Sequence, residues 1–394
     1  MNALIIGVGA AGNKAVINLV EKGVIDQKNV VLVNSTYKDI PTDYRDKAAI
    51  ISDGMFGCGK ERSVAKELCF EALKNSKFNL NQMVEPEHSK TIIVTSLEGG
   101  TGCGASVVIG AYLSEVIGIS VEIIGFAGFE EDSRGLQNTI EFFQDIRDDF
   151  SIQIIRNSAF LKEANNNKLK AEKLANDELA KRITIELGSI ILPSDQNIDE
   201  TDHFKLMTTS GYTTIEYREI DEKIKSMDQF NAIISDMINS TKSLESATPA
   251  MTRLGVIMNL PESSQENIDY SFKLIKDKLG NPYEVFTHVQ NEEELPQFIT
   301  IVAAGMKLPK EEVEEIFNRY KKQSDSVNKE SDSFFNDVKN LKGNVEDSKF
   351  NMTRNTRRDI KNAENAFFSG FGSSKDIVNN NQKSNSTVKN DSEY

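Results

Sequence analysis

The sequence predicts an α/β protein in which a mostly parallel sheet forms an N-terminal Rossmann-like domain, followed by a long helix and a smaller α/β domain. Over roughly the first 160 residues, short β-branched runs alternate with helical patterns, which is typical of βαβ units. Glycine-rich segments follow three of these runs, at the carboxyl ends of strands, where open α/β sheets bind their ligands. We therefore expect a ligand site at that edge of the sheet.

The predicted strands are the apolar and β-branched runs of the chain. They cover residues 3–6, 30–33, 49–51, 91–95, 121–126 and 152–155 in the first domain, and 213–217, 254–259, 285–289 and 298–303 in the second. Helical stretches at 229–238 and 266–279 separate the later strands. Between the domains, apolar residues recur at helical spacing up to Pro193 and predict a helix over 167–192, almost 40 Å long at about 1.5 Å per residue.

Composition narrows the class of protein. The chain has 394 residues and a formal net charge of −14. This negative charge disfavours direct binding of the folded domains to nucleic acid or to an anionic membrane. No basic region precedes an apolar stretch at the N-terminus, and no apolar run approaches the roughly 20 residues of a membrane span. Cys58, Cys69 and Cys103 show no metal-ligand spacing and favour a reducing compartment. We expect a soluble cytoplasmic protein.

The most specific glycine-rich segment is Gly99-Gly100-Thr101-Gly102-Cys103-Gly104, directly after the strand at 91–95. Its four glycines let the main chain approach an anion closely and direct successive N–H groups at it, and Thr101 adds a hydroxyl donor. Residues 105–113 continue as a helix, whose N-terminal end would face the same anion. The segment therefore predicts a phosphate-binding loop.

Two further glycine segments follow strands of the same sheet. Residues 7–12 fit the dinucleotide pattern GxGxxG, but the strand at 30–33 leads into Asn34 instead of the acidic residue that holds a ribose. Residues 54–61 differ from a P-loop in Glu61, which replaces the Ser or Thr ligand of Mg²⁺; Lys60 is a candidate counter-charge, and a plain surface turn is the alternative. Three converging segments predict a polyphosphate ligand, with a dinucleotide-dependent oxidoreductase as the distant alternative.

The segment at 99–104 resembles the GGTGTG signature of the tubulin/FtsZ family, with Cys103 in place of the second threonine. Residues 7–16, 33–36, 57–59, 129–134, 154–157 and 176–179 resemble, in the same order, the family's other nucleotide-contacting segments and the start of its central helix. The similarity covers roughly residues 1–306. It implies a tubulin/FtsZ-like fold and a GTPase that uses GTP, GDP and Mg²⁺, with the metal held mainly by phosphate oxygens and water.

The resemblance also implies which residues contact the nucleotide. These are Gly9, Ala10, Ala11, Gly12, Asn13, Lys14, Asn34, Gly57, Gly59, Gly99, Gly100, Thr101, Gly102, Cys103, Gly104, Glu130, Arg134, Asn157 and Asn176. Two positions depart from the family pattern: Lys14 replaces a base-contacting Asn, and Glu172 replaces an aromatic ring that stacks on guanine.

Asp199 and Asp202 form a second candidate group, just past the predicted long helix. Three residues apart, they would share one face of a helical turn, although aspartate is also favoured at a helix N-terminus for capping alone. In FtsZ-like proteins an N-x-D-x-x-D segment at this place reaches the nucleotide of the next subunit. The resemblance therefore implies that Asp199 and Asp202 act on a neighbouring subunit's GTP and that hydrolysis requires a filament.

The C-terminal part of the chain is polar. Its composition predicts a C-terminal helix and linker over 308–350 and a disordered tail over 351–394, after a GTP-binding domain at 1–166, the connecting helix at 167–192 and an assembly domain at 193–307. The tail carries a basic island (Arg354, Arg357, Arg358 and Lys361) and an aromatic island at 367–371. These islands predict a docking peptide, or else a solvated tail without a partner.

Within the family, the loops at 33–39 and 57–62 look like those of the TubZ type of plasmid and phage tubulins. This resemblance implies filaments of identical subunits that move plasmid or phage DNA, with the tail binding a TubR-like DNA-binding adaptor. We expect neither direct DNA binding by the body nor membrane attachment. An FtsZ-like cell-division protein is the alternative.

Overall fold

The described part of the chain contains one ten-stranded sheet. The computed structural model describes residues 1–54, 57–129, 132–192, 194, 198–240, 242–243 and 250–325. The strands are β1 (Ala3–Val8), β2 (Val30–Thr36), β3 (Ala48–Gly54), β4 (Lys90–Ser96), β5 (Ser120–Ala127), β6 (Ser151–Arg156), β7 (Gly211–Glu219), β8 (Arg253–Asn259), β9 (Glu284–Gln290) and β10 (Phe298–Met306). Each predicted strand is present and extends slightly further at one or both ends.

Helices connect most of the strands. They are α1 (Gly9–Glu21), α2 (Arg62–Lys74), α3 (Leu80–Met83), α4 (Gly100–Tyr112), α5 (Ser133–Asp145), α6 (Lys168–Glu186), α7 (Glu200–Met207), α8 (Met227–Ile238), α9 (Glu262–Gln265), α10 (Lys273–Leu279) and α11 (Lys310–Asp325). A π-helical turn, Leu113–Ile117, continues α4, and short 3₁₀ helices cover Gln27–Asn29, Tyr37–Asp39, Thr42–Lys47 and Asn157–Phe160.

The strand order is β3-β2-β1-β4-β5-β6-β7-β10-β8-β9. Strands β1 to β7 are parallel to their neighbours within that group, so the carboxyl ends of β1 to β6 meet at one edge of the sheet, here called the carboxyl edge. The opposite edge, where these strands begin, is the amino edge. Strand β10 is antiparallel to both β7 and β8, and β9 is parallel to β8. The predicted mostly parallel α/β fold is confirmed.

Helices cover both faces of the parallel strands. Along β1, Leu4 and Ile6 face a cluster that includes α2 and α4, whereas Ile5 faces a cluster that includes α1 and α6. All three side chains are almost completely buried, and burial of such a side chain stabilises a fold by about 1.5–3 kcal/mol. By length and composition the stretch Gly100–Ile117 could cross a membrane, but 78% of it is buried within this fold.

The central helix α6 is shorter than predicted. It spans 19 residues, about 28 Å at 1.5 Å per residue, and ends at Glu186 instead of continuing to residue 192. Gly188 has a φ of +73°, the left-handed conformation that commonly terminates helices. The apolar residues Ile190 and Ile191 continue the helical spacing in the sequence because they pack into another cluster, beside Ile198 and Leu206.

The predicted helix at 266–279 is also shorter, since α10 covers only Lys273–Leu279. Phe272, the residue before it, has a φ of +51°, which a continuous helix cannot accommodate. Its ring is buried with Ile268 and Ile275 in the main core. Tertiary packing therefore overrides the local helical pattern at this place.

Helix α11 packs on α5 through Ile316, which contacts Leu136 and Ile140. An ion pair of 3.1 Å between Arg156 Nη1 and Glu312 Oε2 ties the start of α11 to the end of β6. Residues 326–394, with the predicted linker, tail and both islands, lie outside the described residues.

Candidate functional site

The carboxyl edge brings together the segments that follow β1, β2, β4 and β6. Helix α1 begins directly after β1, and α4 begins after the short segment that follows β4. Neither helix has a side-chain hydrogen bond from its N-cap residue, Val8 or Gly99, to its first turn. The first N–H groups of a helix have no partner within the helix, and they carry the positive end of its dipole. Two uncapped helix N-termini therefore lie at one edge.

The N-termini of α1 and α4 are in main-chain contact. Gly9 has a φ of +75°, and a Cβ atom there would lie 2.7 Å from the N atom of Gly102. A Cβ on Gly12 would overlap the carbonyl of Val94. Because no side chain separates the two helices, both positive ends point at nearly the same place, which is the arrangement expected of an anion-binding site.

The glycine run predicted as a loop is mostly helix. Only Gly99 precedes α4, as its N-cap, and a Cβ there would have nothing within 4 Å. The glycines at 100, 102 and 104 lie inside α4 against main-chain atoms of Lys60, Val8 and Arg62. These three glycines permit close packing of segments. This packing role differs from the predicted approach to an anion.

Two neighbours of these glycines have contrasting surroundings. Thr101 is half-buried, and its Oγ1 lies 3.0 Å from Oγ of Ser35 at the end of β2. Cys103 is completely buried, its Sγ donates to the carbonyl of Asn138 at 3.2 Å, and burial raises the pKa of its thiol to about 12. Thr101 can reach a ligand at this edge, whereas the Cys103 side chain faces the interior.

The candidate residues on α1 also include both exposed and buried positions. Ala10, Ala11 and Lys14 are exposed, whereas Gly12 and Asn13 are buried. Asn13 Nδ2 donates to the carbonyl of Val33 at 3.2 Å, which fixes α1 to β2.

At the end of β2, the Asn34 side chain is held on both sides. Its Oδ1 accepts from the N–H of Ser35 at 2.9 Å, and its Nδ2 donates to Oδ2 of Asp39 at 3.3 Å. Asp39 supplies a carboxylate near the strand end that the sequence reading missed, because it lies five positions beyond Asn34.

The segment at 57–61 carries exposed Gly57 and Gly59. Lys60, the candidate counter-charge, pairs with Asp132 at 2.7 Å, and this hydrogen bond lowers the pKa of Asp132. Arg134, a candidate nucleotide contact, forms an ion pair with Glu61. Both cations are therefore engaged within the protein, because the start of α5 faces this segment with opposite charges.

The remaining nucleotide candidates lie where β6 ends and α6 begins. Asn157 follows β6 and is half-buried, and its Oδ1 has no hydrogen-bond partner in the described part of the chain. Asn176 and Glu172 are half-buried on α6, and the neighbouring Asp177 pairs with Lys22, the residue directly after α1. Glu130 lies outside the described residues.

Asp199 and Asp202 lie at the amino edge, away from all of these residues. Asp199 is the N-cap of α7, and its Oδ1 accepts from the N–H of Asp202 at 2.7 Å. On the same helix, His203 Nε2 lies 3.1 Å from the carbonyl of Ile185, near the end of α6, and Met207 O accepts from Lys90 Nζ at 2.5 Å. Lys90 begins β4, so α7 is separated from Gly99 by the length of that strand, about 20 Å.

A buried charged cluster fixes α7 and α6 to the amino edge. Lys90 Nζ lies 2.6 Å from Oε2 of Glu122 and 2.9 Å from Oε2 of Glu186, and Gln153 Nε2 donates to the other oxygens of both carboxylates. Lys90, Glu122, Gln153 and Glu186 are all almost completely buried. Burial, reinforced by Glu122, raises the pKa of Glu186 to about 8 against the opposing effect of Lys90.

Comparisons with known proteins match this architecture. No protein-family model matches the chain. The FtsZ cell-division protein of Methanothermobacter thermautotrophicus is 23% identical over 316 residues, covering 77% of this chain and 79% of the relative. In structure, a GTPγS-bound protofilament of Haloferax volcanii CetZ2 aligns with a TM-score of 0.67 and 19% identity over 83% of this chain and 99% of the neighbour.

In sequence and in fold, the chain is similar to proteins of the tubulin/FtsZ superfamily. A third neighbour, TubZ of Clostridium botulinum phage c-st, aligns with a TM-score of 0.63 and 19% identity over 82% of this chain and 98% of that one. The predicted resemblance to the superfamily and its fold is therefore confirmed. Among these three proteins of the superfamily, the sequence match is to FtsZ and the structural matches are to CetZ and TubZ.

Besides Asp39, two further residues of this site, Ser35 and Asn138, were not predicted from the sequence. Ser35 could have been found, because it ends a strand next to Asn34 and shares the hydroxyl chemistry of Thr101. Asn138 carries no such signal, since a single Asn in an amphipathic helix is normally a surface residue.

Proposed function

We propose that this chain is a GTPase that assembles into filaments of identical subunits and hydrolyses GTP at the contact between them. The observation that carries the proposal is the placement of two complementary half-sites at opposite edges. Uncapped α1 and α4 N-termini lie at the carboxyl edge, and Asp199 and Asp202 lie at the amino edge. The GTPγS-bound CetZ2 protofilament supports both the nucleotide and the assembly.

The carboxyl edge fits a nucleoside triphosphate. N–H groups of the first turns of α1 and α4 would bind phosphate oxygens, and the hydroxyl pair of Ser35 and Thr101 would add a further donor. The open space in front of Gly99 gives the phosphates room to approach the main chain. On the other side, the buried Oδ1 of Asn157, which has no partner among the described residues, and the half-buried Asn176 offer groups for the ribose and the guanine edge.

Mg²⁺ would neutralise phosphate charge during the reaction. Among the described residues, no group of three or more His, Cys, Asp or Glu side chains could hold a metal ion. As the resemblance to the superfamily implies, phosphate oxygens and water would be the main ligands, with Thr101 beside them.

The carboxylates would act between subunits. Asp199 and Asp202 belong to the segment of α7, which is fixed to the amino edge one strand length, about 20 Å, from the phosphate-binding edge of its own chain, so they would reach such a site only when a second copy stacks on that edge. There, Asp202 would orient the attacking water, and Asp199 would fix the helix turn that presents Asp202. Hydrolysis would follow assembly, because the site is complete only in a filament.

Light scattering and phosphate release, measured together over a range of protein concentrations, test this proposal. We expect scattering to rise with GTP and GTPγS but not with NADH, and phosphate release to be near zero below the concentration at which filaments form. Release proportional to protein concentration throughout the range would show that each subunit acts alone. Scattering with NADH would favour the oxidoreductase alternative.

For the cellular role, we propose movement of plasmid or phage DNA in the cytoplasm, with the tail binding a DNA-bound adaptor of the TubR kind. The support is the similarity to the phage TubZ structure together with the basic and aromatic islands of the tail. An FtsZ-like role in cell division is the second candidate, and the sequence match to FtsZ favours it. Binding of the full chain to an adaptor–DNA complex, compared with binding to a division-site membrane tether, separates the two.

A further inference from the structure

Asn138, in the middle of α5, connects the two segments that border the proposed phosphate site. Its side chain is 1% exposed. Its Nδ2 lies 3.0 Å from the carbonyl oxygen of Lys60, 3.1 Å from that of Glu98 and 3.4 Å from that of Gly99. One amide group thus contacts the segment at 57–61 and the segment that leads into α4.

The chemistry of this contact requires a donor. Three carbonyl oxygens can only accept hydrogen bonds, so an NH₂ group suits them and a carboxylate or hydroxyl lone pair would be repelled. Close packing holds the partners in place. A Cβ on Gly135, one turn before Asn138, would lie 3.1 Å from the Cβ of Glu98, and a Cβ on Gly100 would lie 2.7 Å from the Cα of Lys60.

The orientation of the carbonyls fixes the orientation of the N–H groups. In a trans peptide the C=O and the following N–H point in opposite directions, and the described chain has no cis peptide bond. The carbonyls of Glu98 and Gly99 point toward Asn138, so the N–H groups of Gly99 and Gly100 point away from α5. Both groups belong to the N-terminal end of α4, which is in contact with the N-terminus of α1.

We propose that Asn138 is a positioning residue that aims the N–H groups of Gly99 and Gly100 at a phosphate group. By binding Lys60 as well, it keeps the segment at 57–61 closed against the same place. The ligand class is a nucleoside polyphosphate, so this inference rests on the proposed function. Without Asn138, the two segments would still be present but would sample several orientations, and the ligand would have to order them on binding.

The test compares Asn138→Leu with Thr139→Val in the full-length chain. Leucine keeps the branched shape of Asn138, with somewhat greater volume, and removes both donor hydrogens. Thr139 is the matched control, because it is the next residue and is also buried, and within the described part of the chain its Oγ1 bonds only inside α5, to Gly135 O at 3.0 Å. Asn138→Ser, which is smaller and too short to reach three carbonyls, serves as the second variant if leucine prevents folding.

The first readout is amide hydrogen exchange of the nucleotide-free protein. We expect peptides that cover 57–62 and 97–104 to exchange at least about fivefold faster in the Asn138 variants and to be unchanged in Thr139→Val. The second readout is the binding of GTPγS, which we expect to weaken about tenfold in the Asn138 variants, while kcat at saturating GTP in assembled protein stays within about twofold.

Unchanged exchange in whichever Asn138 variant folds would overturn the proposal, and so would faster exchange with unchanged GTPγS affinity. The failure of the proposed function looks different. If the wild-type protein binds no GTPγS, the nucleotide assignment is wrong, and the exchange data still decide whether Asn138 orders the two segments.

Discussion

Oδ1 of Asp199 accepts a hydrogen bond from the main-chain N–H of Asp202, at 2.7 Å. One candidate carboxylate is therefore occupied as a helix cap, and the other is presented by the turn which that cap holds. Asp202 is half-buried, and its carboxylate contacts Lys205 Nζ at 3.4 Å. Substitutions at Asp199 and Asp202 are therefore expected to have different effects.

Asp202→Asn is expected to keep GTP binding and filament formation and to lose most turnover, on the order of 100-fold, because it removes the charge that orients the attacking water. Phosphate release from sedimented filaments measures this. Glu200→Gln, on the exposed first turn of the same helix, is the control and should retain turnover. A wild-type rate of phosphate release by assembled Asp202→Asn protein would contradict the proposal that Asp202 acts on the GTP of a neighbouring subunit.

Substitutions of Asp199 distinguish its role as a helix cap from a direct role of its negative charge. Asparagine caps a helix about as well as aspartate, whereas alanine does not, and loss of a cap costs about 1 kcal/mol. We expect Asp199→Asn to retain wild-type thermal stability and Asp199→Ala to lose about 1 kcal/mol. If Asp199 acts mainly as the cap, turnover should survive in Asp199→Asn and fall in Asp199→Ala. Equal loss of turnover in both variants would show that the charge of Asp199 acts directly.

Alanine substitutions of Gly99 and Gly104 distinguish a glycine that gives a ligand room to approach from a glycine that lets two helices pack closely. A methyl group on Gly104 would overlap the carbonyl of Arg62, so Gly104→Ala should push α2 from α4 and cost about 2 kcal/mol. A methyl group on Gly99 meets open space, so Gly99→Ala should change stability by less than about 1 kcal/mol. It should nevertheless weaken GTPγS binding about tenfold, because the methyl group occupies the phosphate approach.

Urea unfolding and GTPγS titration of both variants measure these effects. The prediction fails if Gly99→Ala binds GTPγS with wild-type affinity, since the space in front of Gly99 would then hold no phosphate.

Stability should depend on pH through Glu186. Its pKa is raised to about 8 in the folded protein, above its ordinary value near 4.5, so the folded state holds this proton more tightly than the unfolded state. The contribution is fully present below about pH 4.5 and is lost as pH rises through about 8. Glutamine mimics the protonated side chain, so Glu186→Gln should match the wild type more closely at pH 6 than at pH 9.

The measurement is the difference in urea midpoint between Glu186→Gln and the wild type at pH 6 and pH 9. We expect this difference to shift in favour of the variant at the higher pH. Glu163→Gln, an exposed substitution, should show no such shift. A pH-independent difference for Glu186→Gln would mean that Glu186 stays ionised beside Lys90.

Removal of residues after Asn351 should leave GTP-dependent filaments intact and abolish binding to an adaptor–DNA complex. The truncation removes both islands of the tail and leaves α11 with its contact to α5. Co-sedimentation of intact and truncated filaments with the complex measures this. As a control, the basic island alone can be neutralised by substituting Gln for Arg354, Arg357, Arg358 and Lys361. Equal co-sedimentation of the truncated and intact proteins would refute the docking role.

Most strands of the sheet could be predicted, because the sequence pattern that indicates a strand lies within the strand itself. Buried parallel strands have continuous apolar sequences, and each run at 3–6, 49–51 or 91–95 forms a strand with its glycine segment at the carboxyl end. Helix ends were less predictable. Ile190 and Ile191 keep a helical spacing for packing reasons after Gly188 has already ended α6.

Within the candidate site, main-chain features could be predicted and side-chain partners could not. The glycines at 9 and 99 mark places where the chain needs freedom or room, and their sequence pattern reports this directly. The pairing of Lys60 with Asp132 and of Arg134 with Glu61 depends on which helix faces which loop. A single sequence does not contain that information, so both cations were expected to face a ligand.

The proposed half-sites at opposite edges of the sheet would give each subunit a direction. Subunits that stack head to tail form a closed ring only if the rotation between neighbouring subunits adds up to a full turn. Otherwise they form an open filament with two different ends. At one end, the last nucleotide would have no Asp202 above it and would remain unhydrolysed; at the other end, Asp199 and Asp202 would face solvent. Every filament would then carry one long-lived triphosphate at a fixed end, and the two ends would gain and lose subunits at different rates.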